Sequence, residues 1–131
     1  MNFSEISILL VDDDEMIRNC ICAYLEDEGF LVHQASSGEE ALDSIVAMKP
    51  TVCISDMRLA GMNGETFIRR AYLLCPETSY MLHTGLDYPL SDELRAIGMT
   101  PADVLLKPLH ELSTLTRRII AVVASAGSRT R

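Results

Sequence analysis

Five short apolar runs punctuate the chain, at residues 6–11, 30–35, 51–54, 79–83 and 104–106, and the stretches between them carry apolar positions every three to four residues. Runs of this kind read as strands of a parallel sheet covered on both faces, and the intervening period reads as amphipathic helices. The first helix is predicted over residues 15–28, with Ile17, Cys20, Ile21, Tyr24 and Leu25 on its inner face and Gly29 as its stop. Ser37 followed by Glu40 is a capping-box pattern; it opens a second helix that buries Ala41, Leu42, Ile45 and Val46 and closes at Pro50. A third helix begins near Gly64, turns Phe67, Ile68 and Ala71 inward and ends before Pro76. Only a short helix, residues 91–97, fits between Pro89 and Gly98, and this region is expected to be the most mobile. Pro108 suits the first position of a last helix that turns Leu112, Leu115, Ile119, Val122 and Val123 inward.

Five strands alternating with five helices imply right-handed crossovers and an α/β, doubly wound parallel sheet with helices on both faces. The 131 residues suit one domain. Residues 1–124 are expected to form it, and residues 125–131, small, polar and basic, a flexible C-terminal tail. Hydrophobic residues make up 48% and charged residues 23%, a globular balance. The late apolar stretch 119–124 is far too short for a bilayer span and Glu5 interrupts a signal-like start, so a cytoplasmic protein without membrane association is expected. The net charge of −8 disfavours direct nucleic-acid binding, because neutralising phosphates takes clustered Lys and Arg. Cys20, Cys22, Cys53 and Cys75 lack the paired spacing of a zinc or dithiol site and are expected to be reduced, buried small hydrophobes.

The chemistry lies in the polar residues that follow the strands. Asp12 and Asp13 follow the first, Asp56 the third, Thr84 the fourth and Lys107 the fifth. In open parallel sheets, sites form beyond the carboxyl ends of the strands, so these groups face one crevice, between strands one and three if strand one is central. Carboxylates crowded together repel unless a cation or protons intervene. Mg2+ is the natural resolution, since it takes one or two carboxylates and keeps waters beside a substrate phosphate. An aspartate can accept a phosphoryl group as an acyl phosphate, and catalysis of such transfer is mostly positioning and neutralisation of the equatorial oxygens. Mg2+ would hold one oxygen, the Lys107 ammonium a second and the Thr84 hydroxyl a third, with Gly85 leaving room for the incoming group.

Taken singly, each feature has a plainer reading. The run from Asp12 to Glu15 could be a solvated charge run or the cap and acidic first turn of a helix, and Asp14 is read as that cap. Asp56 alone could be a turn residue, Thr84 a strand-end hydroxyl and Lys107 a surface lysine. Their joint placement at four strand ends favours a site.

The stretches ILLVDDDEMIR from Ile8, CISDMRLAGMNG from Cys53, MLHTG from Met81 and VLLKPL from Val104 together resemble the receiver domains of two-component response regulators, and they frame nearly the whole chain. The resemblance implies a flavodoxin-like sheet of order 2-1-3-4-5. It implies that Asp56 is the phospho-acceptor from a sensor histidine kinase or phosphotransfer protein. Asp13, Asp56 and the backbone carbonyl of Arg58 would ligate Mg2+, with Asp12 acting through water, and Thr84 and Lys107 would contact the phosphoryl group. The domain so implied is regulatory: it catalyses only its own phosphorylation and dephosphorylation and switches its surface toward an effector protein or a fused output domain. The resemblance also suggests Glu15, Asn19 and Cys22 as an exposed docking face, and places Arg58 and Leu86 beside the path of the hydrolytic water.

The chain departs from the family pattern at three places. Ala60 stands where proline is usual, Val104 where a reorienting aromatic is usual, and the segment 98–103, with Pro101, is longer than usual. His33, His83 and His110 have no second ligand nearby in sequence and suggest no metal site; strand alternation is expected to turn His83 away from the crevice. A competing reading is an aspartate-nucleophile phosphatase, which generally needs a second aspartate two residues beyond the nucleophile, where this chain has Arg58. A third, a degenerate receiver serving only as an interaction module, sits poorly with a complete set of phospho-site residues.

Overall fold

The computed structural model describes residues 2–85, 88–107, 109 and 111–129. Leu86, Pro108 and His110 lie outside the described residues. The chain alternates strand and helix: β1 Ser7–Val11, α1 Glu15–Asp27, β2 Leu31–Ala35, α2 Gly38–Met48, β3 Val52–Asp56, α3 Gly64–Leu74, β4 Ser79–Thr84, α4 Asp92–Ala96, β5 Val104–Leu106 and α5 Ser113–Arg129. All strand pairs are parallel and the sheet order is β2-β1-β3-β4-β5, the flavodoxin-like arrangement with β1 and β3 adjacent at its centre.

The strands bury both faces, and alternate residues feed two separate cores. Leu9, Val11, Cys53, Tyr80 and Leu82 meet Ile45 of α2, Phe67, Ile68 and Ala71 of α3 and Leu94 of α4. Ile8, Leu10, Val52, Ile54, Met81 and Leu105 meet Ile21 and Leu25 of α1 and Leu115 and Ile119 of α5. Phe30 packs in the second core and stacks on Phe3, with ring centroids 4.5 Å apart.

The helix starts are set by side-chain caps. Asp14, Ser37, Asn63 and Ser91 each accept a hydrogen bond from the backbone N–H three residues on, satisfying a donor that the helix leaves free. Ser37 makes only half of the expected capping box, because the Glu40 carboxylate accepts from the Ser36 hydroxyl instead. Lys49 ends α2 in the left-handed region, at φ 48°, just ahead of Pro50.

Several expectations are corrected. Val46 is 50% exposed, since the inner face of α2 runs through Gly38, Ala41 and Ile45. Cys20 is exposed whereas Cys22 is buried, so Cys22 does not belong to an exposed face of α1 with Glu15 and Asn19. The four cysteines are free, as expected. The last helix spans Ser113–Arg129, so it starts five residues after Pro108 and not at it. The segment before β5 forms a 3-10 turn, Pro101–Asp103, in which Thr100 and Asp103 exchange backbone and side-chain hydrogen bonds and Asp103 pairs with Arg118 of α5 at 2.7 Å.

Candidate functional site

The carboxyl ends of β1, β3, β4 and β5 bring the expected residues to one place. One oxygen each of Asp12, Asp13 and Asp56 lies within 4.8 Å of the others. The Lys107 ammonium reaches Asp56 Oδ2 at 3.0 Å and Asp12 Oδ2 at 3.4 Å. Thr84, buried at the end of β4, accepts the Lys107 backbone N–H at its carbonyl, 2.7 Å away, which ties the lysine's strand end to the threonine's.

Local structure fixes each carboxylate. Asp12 is almost fully buried; its Oδ1 accepts the Asp14 N–H at 2.9 Å, and its carbonyl accepts from the Arg18 guanidinium at 2.7 Å. Asp13, next along, is exposed and stands at the mouth. Asp56 Oδ1 accepts the Arg58 N–H at 3.3 Å, and the loop beyond bridges Arg58 to Asn63. The start of α3 is pressed against this strand end: a Cβ on Gly64 would lie 2.4 Å from the Asp56 carbonyl oxygen and 2.9 Å from Met57 Cα. Only glycine fits there. At Gly85, by contrast, a Cβ would meet nothing within 4 Å among the described residues, consistent with room for an incoming group.

The electrostatics follow from crowding and burial. Burial raises the Asp12 pKa; the Asp14 N–H and Lys107 pull against it, and the Asp56 charge adds to it. Burial alone would lower Lys107, but the Asp56 hydrogen bond and the charges of Asp12 and Asp56 outweigh it and the ammonium is held above its usual value. Three carboxylates against one ammonium leave an excess of two negative charges at the site. That all-oxygen donor set fits a hard divalent cation that keeps open positions, and fits a soft or tetrahedral metal poorly.

His83 corrects the expectation drawn from strand alternation. It pairs in register with Asp56 on one side and Leu105 on the other, and alternates with Met81 toward the α1 and α5 face. Asp12, Asp56 and Lys107 continue the same alternation from Leu10, Ile54 and Leu105, so His83 flanks the site and it is Thr84 that comes from the opposite face. Burial, with the Lys107 charge, lowers the His83 pKa to about 4, and the ring is neutral at ordinary pH. The sequence signal for this placement was available in the spacing from Met81, had it been set against Asp56 and not against Thr84. Arg18 was missed altogether; its one signal is its place one helical turn beyond the cap Asp14.

The match to known proteins covers this whole arrangement. The chain is 30% identical to a protein-glutamate methylesterase/protein-glutamine glutaminase of Rhodopseudomonas palustris over 92% of its own length and 34% of that protein's. It is 35% identical to the C4-dicarboxylate transport transcriptional regulatory protein DctD of Rhizobium meliloti over 78% of its length and 22% of that protein's, so it spans about a third or less of these two curated relatives. The structure of the Vibrio cholerae chemotaxis protein CheY4 superposes with a TM-score of 0.79 at 29% identity, over 89% of this chain and 98% of that one. With the family model for the response regulator receiver domain matching residues 8–120, most of the chain and every strand-end residue of the site, this protein belongs to the response regulator receiver domain family.

Proposed function

We propose that this domain accepts a phosphoryl group on Asp56 from a sensor histidine kinase or phosphotransfer protein, in a Mg2+-dependent reaction, and changes its surface in response. The observation that carries the reading is the Lys107 bridge between two carboxylates whose oxygens, with that of Asp13, converge within 4.8 Å. Asp56 is the acceptor because it ends the central strand β3 with its Oδ1 fixed by a backbone N–H and its Oδ2 by the lysine. Transfer forms a bond between phosphorus and a carboxylate oxygen of Asp56 and breaks the donor's bond to phosphorus, the electron pair leaving with the donor.

When bound, Mg2+ would be held by Asp13, Asp56 and the Arg58 backbone carbonyl, with Asp12 acting through water, and would supply charge neutralisation of a phosphoryl oxygen. Lys107 neutralises a second oxygen and Thr84 donates its hydroxyl to a third. The domain acts as a regulatory acceptor in the cytoplasm, its output carried by an effector protein or a fused output domain, without direct nucleic-acid or membrane binding. Among the described residues, no helix is long and apolar enough to cross a membrane. Incubation with acetyl phosphate and Mg2+ tests the reading: one alkali-labile label per chain, located on Asp56, is expected. Multiple turnovers of a generic phosphate ester, or a label on another residue, would overturn it.

A further inference from the structure

Beside the acidic crevice, Met16, Ile17 and Cys20 of α1 border an open cavity of about 380 Å3 together with Leu109 and Leu112, with His83 and Lys107 on its wall. Lys107 carries three N–H donors, and the two carboxylates take two of them. Among the described residues of this wall, His83 is the only other one whose side chain offers a strong acceptor; the rest have apolar side chains but for the Cys20 thiol. His83 in turn is 6% exposed, and its Nε2 is shut off from solvent with no hydrogen-bond partner among the described residues. A buried polar atom left without a partner is destabilising, and in native structures it calls for an explanation. The ring's register position beside Asp56, on a wall it shares with Lys107, supplies one.

We propose that His83 is a positioning residue for Lys107, its Nε2 accepting the ammonium's third N–H as Lys107 turns from the carboxylates to an incoming phosphoryl oxygen. The inference rests on the phospho-acceptor reading of Asp56 and deepens it. An ammonium anchored by a side-chain acceptor keeps its charge while its direction is fixed, so that less of the transfer is spent on orienting a flexible four-carbon stem.

The test is the rate of Asp56 labelling by acetyl phosphate at saturating Mg2+, measured over a range of donor concentrations. His83→Leu keeps the apolar packing and removes the acceptor. It is expected to lower the rate at saturating donor about tenfold, the effect of one hydrogen bond to a charged group, with half-saturation unchanged within about twofold. His83→Gln, which retains an acceptor oxygen, is expected to recover most of that loss. The melting temperature of His83→Leu is expected to equal or exceed that of the native chain, because the unpartnered nitrogen is gone; a purely structural histidine would give a lower one. In a Lys107→Ala background, His83→Leu should slow labelling no further. An unchanged rate in His83→Leu, a loss that glutamine does not recover, or an equal loss in the Lys107→Ala background would overturn the proposal. Labelling that persists in Asp56→Asn would instead overturn the phospho-acceptor reading itself, so the two failures are separable.

Discussion

The two faces of the sheet are alike in packing and unlike in what they present at the carboxyl edge. On the α1 and α5 face, the alternation that builds the core from Ile8, Leu10, Ile54, Met81 and Leu105 runs on into Asp12, Asp56, His83 and Lys107. On the other face, the alternation through Tyr80 and Leu82 runs on into Thr84, beside a core completed by Leu90, Leu94 and Met99 around the short helix α4. Charge is concentrated on the first face, and a hydroxyl next to a lightly built helix on the second. On the proposed function the difference would separate two tasks: one face would hold the acceptor and its cation, and the other would move when the acceptor changes.

The largest effect that would break this division is loss of the acceptor. Asp56→Asn is expected to abolish acetyl phosphate labelling, read as acid-stable, alkali-labile incorporation; a surviving label would place the acceptor elsewhere. Next comes the point where the two faces touch, since Gly64 of α3 lies against the Asp56 carbonyl. Gly64→Ala forces backbone apart and is expected to lower unfolding stability by about 1–3 kcal/mol in denaturant titration. Stability within a few tenths of the native value would show that the strand end and α3 are not tightly coupled.

A smaller effect sharpens the charge side of the comparison. If the three carboxylates share one cation, Mg2+ at ten times its dissociation constant stabilises the chain by about 1.4 kcal/mol, and Asp13→Asn removes most of that gain. Equal thermal shifts in both proteins would refute a shared site. His83 gives a pH signature of its own. Its imidazole protonates near 6.5 in the unfolded chain and at about 4 in the folded one, so the unfolded state binds more protons in that window and stability is lost as pH falls through it. His83→Leu is expected to flatten this slope relative to the native chain, and an unaltered slope would count against the burial of the neutral ring.

Subtlest is the response of the second face. With Val104 in place of an aromatic, and half-buried against the core around α4, strand β5 has no ring to swing. Hydrogen exchange with beryllofluoride as phosphoryl mimic is expected to change most over residues 85–98 and less over 104–109. A change centred on β5 and α5 would rule out a route through α4.

How much of this was legible depended on whether a signal was local. The strand ends were, because a charged residue after an apolar run marks both the end of burial and the edge of the sheet, and Asp12, Asp56 and Lys107 lie where that pattern put them. Helix faces were legible to within about one residue: Cys20 and Cys22 exchange roles and Val46 turns outward because neighbouring positions on a helix differ by roughly 100° in direction. The start of α5 was missed because a proline permits a helix start without requiring one. The side of His83 was missed because alternation from Thr84 says only that the two differ; the ring's spacing from Met81 places it on the Asp56 side once the register of β3 with β4 is known.

The position of Lys107 also has a meaning in time. Its carboxylate partners lie 51 and 95 residues earlier in the chain, and it is delivered by a three-residue strand at the edge of the sheet. Closing contacts of such long sequence separation costs loop entropy that local contacts do not. Until β5 docks, held at its start by Asp103 on Arg118 and at its end by the Lys107 N–H on Thr84, the acidic pocket exists without its cation. During synthesis the first 84 residues carry every carboxylate of the site and still lack the ammonium, so the charge balance of the site is completed only as the last strand arrives.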